Sequence, residues 1–190
     1  FRVLKIKVGT GPAEDWQRVQ AARRAAPKAR LLLDGNQGLS VRSALRLVER
    51  CLKAGMPLDL LEQPLPKTDW KGMAAITRRC PVPVAADEMV FTAADALRLV
   101  DSRAASAINV KVAKSGILRS LDIAAIARAA GLPLMLGCMA ETARGLCASV
   151  HLAMGTGFFR FVDLDSDHLL AEIAPQDLDW RRRGPVISLL

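Results

Sequence analysis

Seven residues capable of acid–base or ligand chemistry punctuate this 190-residue chain at a nearly constant interval: Lys7, Asp34, Glu62, Asp87, Lys111, Cys138 and Asp163. The gaps between them are 27, 28, 25, 24, 27 and 25 residues. Three consecutive members, Asp34, Glu62 and Asp87, are carboxylates. Gathered in an apolar setting they would repel one another unless a cation neutralised them. All-oxygen ligands suit a hard divalent ion, magnesium or manganese rather than zinc. For any one of the three, a helix cap or a lysine partner is the simpler explanation; three in register point to a metal. Lysines bracket the acids along the chain. Lys5 and Lys7 are two apart, so both point to one face of a strand, as do Asp34 and Asn36. A neighbouring positive charge lowers a lysine pKa toward the range useful for a base. If the strands form a ring, Lys7 and Lys111 lie across its mouth and can reach one carbon atom from its two faces. A strand-end lysine otherwise extends into solvent, the reading that suits Lys114 and remains open for Lys5.

The elements that must position these residues are legible as short apolar runs ahead of each one: Val3–Val8, Leu31–Leu33, Leu58–Leu61, Val82–Ala86, Ala107–Val112, Leu132–Leu136 and Phe158–Val162. Near-continuous hydrophobicity of this kind fits parallel strands buried on both faces. Amphipathic helices fill the gaps. Ser40 caps a helix with an apolar stripe of Val41, Ala44, Leu45, Val48 and Leu52, and Gly55 stops it. Asp69 and Thr92 are similar caps, and Leu121–Ala130 ends at Gly131. A βα unit needs about this length, and right-handed crossovers place all seven residues at one end of the sheet. Near-equal units favour an α/β fold of the (β/α) TIM-type barrel class over a doubly wound sheet. Catalytic residues of such a barrel collect on its C-terminal rim. A barrel has eight strands in about 250 residues, and seven are visible here, so the first strand is expected to lie outside this chain. The expected organisation is a partial barrel over residues 1–165 and a tail over 166–190 that packs outside it.

Composition narrows the function classes. Hydrophobic residues make up 51% of the chain, ample for a core, and no apolar run reaches the roughly 18–20 residues of a membrane helix. The net charge is +8, yet the basic residues are spread along helical stretches apart from Arg181-Arg182-Arg183. Tyrosine is absent and aromatics are 4%, which leaves few stacking platforms for nucleic acid. No nucleic-acid or membrane partner is expected; homo-oligomerisation is left open. The four cysteines, Cys51, Cys80, Cys138 and Cys147, show no metal-finger spacing, and reduced thiols in a cytoplasmic protein are the expectation. Gly9-Thr10-Gly11 reads as a tight βα turn ahead of a phosphate-cradling one. Cys138 has no paired histidine, so it reads as site lining, and His151 as structural.

Lys5-Ile6-Lys7, Asp34-Gly35-Asn36, Glu62-Gln63-Pro64, Ala86-Asp87-Glu88 and Asn109-Val110-Lys111, in this order and spacing, resemble the enolase superfamily in its muconate-lactonizing subgroup. The resemblance covers about residues 1–165. It implies a modified (β/α)7β barrel with an N-terminal α+β capping domain, and that cap and the first strand would lie outside this chain. It also implies that Asp34, Glu62 and Asp87 bind Mg2+ and that Lys7 and Lys111 form the acid/base pair. Lys5 would lower the pKa of Lys7, while Asn36 and Glu88 would orient the groups that react. The chemistry implied is a 1,1-proton transfer alpha to a carboxylate through an ene-diolate. Gly137-Cys138-Met139-Ala140-Glu141 and Asp163-Leu164-Asp165 resemble the dipeptide epimerases of the L-Ala-D/L-Glu type, in which the DxD aspartates bind the dipeptide ammonium and the C-terminal residue is epimerised. Two carboxylates at that place suit a cationic group; a helix cap or an ion pair with Arg160 is the alternative. Cys138, Met139 and Glu141 would line the substrate site. Ala140 departs from the larger apolar residue expected there. Muconate cycloisomerase, o-succinylbenzoate synthase and N-acylamino acid racemase share the machinery. A non-catalytic anion-binding barrel is the alternative of another class.

Overall fold

The computed structural model describes residues 1–169 and 178–190. The chain forms two compact units, Phe1–Met89 with Arg98–Ala107, and Val90–Leu97 with Ile108–Leu190.

In the first unit, strands and helices alternate in chain order: β1 (Val3–Lys7), α1 (Pro12–Ala25), β2 (Arg30–Asp34), α2 (Val41–Lys53), β3 (Leu58–Glu62), α3 (Trp70–Arg79) and β4 (Val84–Ala86). All pairings are parallel, with Lys7 opposite Asp34, Asp34 opposite Glu62, and Glu62 opposite Ala85. A register shift between Leu31 and Leu32 adjusts β2 against β3. The core is the leucine-rich centre of these strands, Leu31, Leu33, Leu60 and Leu61, with Met73 and Ile76 from α3. Each such side chain contributes about 1.5–3 kcal/mol on burial. Helix α2 forms where its cap places it, but its buried face is shifted from the expected stripe: Leu47 and Cys51 are buried, whereas Leu52 is exposed. The Ser40 hydroxyl accepts from the Ser43 amide at 3.1 Å while the Ser43 hydroxyl accepts from the Ser40 amide at 2.9 Å, a reciprocal cap that satisfies two of the helix's orphan donors. Ala44, Leu47, Val48 and Cys51 are the buried face, and Gly55 at φ +67° ends the helix. Asp69 caps α3 by accepting from the Gly72 amide at 2.8 Å. The expected Val82–Ala86 strand shortens to Val84–Ala86, with Pro81 and Pro83 outside it.

Helix α4 (Ala93–Ser102) begins in the second unit, where Thr92 caps it by accepting from the Asp95 amide at 3.2 Å. Strand β5 (Ala107–Val110), the single turn α5 (Val112–Ser115), α6 (Ile117–Ala129), β6 (Leu134–Gly137), α7 (Cys147–Thr156) and β7 (Phe159–Asp163) follow. Here too the strands are parallel, Asn109 opposite Met135 and Gly137 opposite Asp163. Ile108, Ile123, Leu134 and Met135 form the buried centre. Helix α6 starts four residues before the expected Leu121, directly after Gly116.

Of the tail, 170–177 lie outside the described residues. Ser166–Leu169 is a 3-10 turn, and β8 (Trp180–Arg183) pairs antiparallel with β9 (Val186–Leu189). Trp180 donates its indole N–H to Cys147 Sγ at 3.3 Å, His151 of α7 stands 3.0 Å from Asp179, and Arg182 pairs with Asp167 at 2.6 Å. The basic run therefore spends its middle member on an internal ion pair. Among the described residues, no helix is long and apolar enough to cross a membrane.

Candidate active site

Parallel pairing builds the site from the ends of β1, β2 and β3. Because Lys7, Asp34 and Glu62 are register partners, and neighbouring strands lie about 4.8 Å apart, one amine and two carboxylates form a single row. Lys7 Nζ lies 2.5 Å from Asp34 Oδ2. Lys5, one pleat back on the same face, bridges both acids, at 3.1 Å from Asp34 Oδ2 and 2.9 Å from Glu62 Oε2. The sequence-based expectation that Lys5 and Lys7 share a face holds. Their environments differ: the Lys5 side chain is 12% exposed and that of Lys7 59%. Lys7 is the one that opens to solvent.

Asp34, Glu62 and Asp87 are each fully buried. Burial, reinforced by the Asp34 and Asp87 carboxylates, pushes the Glu62 carboxyl up to about 7, although the Lys5 ammonium pulls the other way. Asp87 sits two residues beyond Ala85, the register partner of Glu62, and so continues the same face of the sheet. Asn36, in the left-handed region at φ +38°, donates its amide N–H to Asp34 Oδ1 at 3.0 Å and its side-chain N–H to Glu88 Oε1 at 3.2 Å. The other oxygen of Glu88 is buried with no hydrogen bond.

These features test the fit of a divalent cation. Among the described residues, no three metal-binding side chains are already drawn together as a finished cage. The donor chemistry nevertheless fits. Three buried carboxylates stand at one edge, a lysine ammonium holds the place of a cation between two of them, and a buried carboxylate oxygen lacks a donor. Buried anionic oxygens are stable only when paired or ligated.

The turn after β1 is held from the outside. Asp15 of α1 accepts from the Gly9 amide at 2.9 Å and the Thr10 amide at 3.2 Å. Arg18 donates to the Lys7 carbonyl at 2.6 Å. With the Gly9 and Thr10 amides both held by Asp15, this segment has the form of a tight βα turn. Gly35 must be glycine, since a Cβ there would meet Pro64 Cα at 2.7 Å.

In the second unit, Lys111 follows β5 and is 7% exposed, with Asn109 fully buried two residues before it. Cys138 follows β6, and burial raises its thiol pKa; its Sγ lies 3.9 Å from Asp165 Oδ1. Asp163 ends β7 half-buried, whereas Asp165 lies beyond the strand and is exposed. Glu141 turns inward on its own loop: its carboxylate accepts from the Met139 amide at 2.9 Å, and its carbonyl accepts from Ser166 Oγ at 2.9 Å. Met139 is 51% exposed.

The enolase C-terminal domain-like family matches residues 1–183. The chain belongs to this family. It is 44% identical over 173 residues to an aromatic dipeptide epimerase of Herpetosiphon aurantiacus, a match covering 90% of this chain and 49% of that protein. It is also similar to the substrate-liganded L-Ala-D/L-Glu epimerase of Bacillus subtilis, with a TM-score of 0.95 and 34% identity over 100% of this chain and 54% of that one. A dipeptide epimerase of Enterococcus faecalis in complex with Mg and L-Leu-L-Tyr gives a TM-score of 0.86 and 38% identity over 92% and 49%. The chain thus spans about half the length of the curated relatives it matches. Its α/β fold is that of the barrel domains of the enolase superfamily.

In this enolase-like domain, one structural residue escaped the sequence reading. Gln63 is fully buried at φ +29°. Its side-chain oxygen accepts from the Asp87 amide at 2.9 Å and the Met89 amide at 3.4 Å, while its side-chain nitrogen donates to the Leu65 carbonyl at 2.9 Å. It ties the end of β3 to the turn that carries Asp87. The available signal was a primary amide beside a strand-end glutamate in an otherwise apolar run.

Proposed function

We propose that the protein is a magnesium-dependent isomerase that epimerises a dipeptide at the carbon alpha to its terminal carboxylate. The observation that carries this reading is the row of Lys7, Asp34 and Glu62, in which a solvent-accessible amine stands against buried carboxylates that call for a cation. Asp34, Glu62 and Asp87 would hold the ion. When bound, magnesium supplies Lewis-acid neutralisation of the charge that builds on the substrate carboxylate.

The chain's own groups supply the rest. Lys7 and Lys111 serve as the two acid/base groups, one taking the α-proton from the substrate carbon and the other returning it. Lys5, paired with Asp34 and Glu62, holds those two carboxylates in place beside Lys7. Asn36 fixes Asp34 and Glu88 relative to one another. Asp163 and Asp165 receive the free ammonium of the dipeptide, with Cys138 and Met139 lining the site and Glu141 ordering the loop that carries them. The similarity to epimerases acting on dipeptides supports the substrate class, and the DxD pair favours it over the cycloisomerase, synthase and acylamino acid racemase chemistries, whose substrates carry no ammonium to bind.

The test is exchange of the α-proton with solvent deuterium, followed by NMR over a panel of dipeptides with magnesium. Exchange and epimerisation at the C-terminal residue are expected. Changing Asp163 and Asp165 together to asparagine should raise KM for free-amine dipeptides at least tenfold and spare N-acylated ones. Equal turnover of acylated and free substrates by the wild type would overturn the dipeptide assignment.

A further inference from the structure

Gly137 ends β6 without needing to be glycine for its backbone, since it is absent from the residues at positive φ. Glycine within a strand weakens it and commonly marks a place where another group approaches closely. Here the approaching groups are identifiable. Strands β5 and β6 run parallel with Asn109 opposite Met135 and Val110 opposite Leu136, so the next step brings Lys111 alongside Gly137. A Cβ on Gly137 would stand 2.9 Å from both Oδ1 and Nδ2 of Asn109 and 3.0 Å from Cε of Lys111. The two contacts with the fully buried Asn109 amide are shorter than real Cβ atoms show, and the third is tight enough that the Lys111 chain must shift by a few tenths of an ångström.

We propose that Gly137 is a positioning residue for Lys111: its bare backbone is the floor on which the Asn109 amide and the Lys111 methylene chain lie. Cε is the atom that bears the amine, so a displacement there is passed directly to Nζ. This inference rests on the reading of Lys111 as one of two acid/base groups. Proton transfer requires the amine within about 2.6–3.2 Å of its partner atom, and a misplacement near 1 Å costs about 100-fold in rate.

The experiment compares wild type, Lys111→Ala, Gly137→Ala and the double variant Asn109→Gly/Gly137→Ala. Each is assayed for kcat and KM with dipeptide, for Mg2+ dissociation by calorimetry, and for α-proton exchange from each epimer separately. Lys111→Ala should abolish exchange from one epimer and leave it on the other; if both persist, the two-base reading itself fails. Gly137→Ala should lower kcat about 10- to 100-fold, with the loss confined to the epimer that Lys111→Ala silences and with KM and Mg2+ affinity within twofold. The double variant gives the new methyl the space of the amide and should recover part of that exchange; it also serves if Gly137→Ala alone does not fold. A normal Lys111 phenotype together with unchanged exchange in Gly137→Ala, equal loss from both epimers, or no recovery in the double variant overturns the positioning role and leaves the function standing.

Discussion

Replacing Gln63 by leucine keeps the volume of a fully buried side chain and removes only its polarity. Two good hydrogen bonds disappear, from the Asp87 amide and to the Leu65 carbonyl, both at 2.9 Å; the longer one from Met89 at 3.4 Å adds little. Each buried backbone group left without a partner costs about 1–3 kcal/mol, so Gln63→Leu should destabilise the protein by about 2–6 kcal/mol. The freed amide belongs to Asp87, and groups that orient a metal ligand are typically worth about 10- to 100-fold in metal affinity. Urea denaturation without magnesium reads the first effect, and calorimetric titration of the folded variant with Mg2+ reads the second. Gln63→Glu keeps the acceptor for the Asp87 amide and should retain more Mg2+ affinity than Gln63→Leu. A Gln63→Leu protein that loses stability but binds Mg2+ as tightly as wild type would refute the link between this clamp and the metal site.

Protonation gives a prediction at Glu62. Its carboxyl is raised to about 7 in the folded chain, so the native state holds that proton more tightly than the unfolded state does. The associated stability is present below pH ~4.5 and is lost as pH rises through ~7. Without magnesium, wild type should therefore lose stability relative to Glu62→Gln between pH 5 and pH 8, as thermal unfolding would show; parallel curves would contradict it. Since the ion and the proton compete for the same oxygens, Mg2+ affinity of the wild type should rise across that interval, measurable by calorimetry in buffers of different ionisation enthalpy. Ser40→Ala removes the reciprocal cap of α2 and should cost about 1 kcal/mol in denaturant unfolding, with the proposed epimerase turnover and Mg2+ affinity unchanged.

The recurring strand-end residues made the architecture readable, because parallel pairing preserves register and an even interval brings like positions to one edge. Lys7, Asp34 and Glu62 fall in one row for that reason. The caps at Ser40, Asp69 and Thr92 were equally visible, since each acts within three residues of its own position. What escaped were interactions whose partners are distant in sequence or whose signal is the absence of a side chain. Gln63 acts 24 residues away, on Asp87, and Gly137 matters through atoms it does not have. The β8–β9 hairpin lacks the helical spacing that marked the rest, and its anchoring by Trp180 on Cys147 joins positions 33 apart. Of the DxD pair, Asp163 ends β7, whereas Asp165 belongs to the loop beyond it.

The guanidinium of Arg18 grips the main chain of Lys7, and Asp15 grips the two residues that follow the next valine. A helix on the periphery is thereby a lever on the backbone that carries Lys7, the residue proposed to move the proton. Drift or engineering on that outer surface, ordinarily regarded as harmless decoration, becomes a means of tuning turnover without touching any group that meets the substrate.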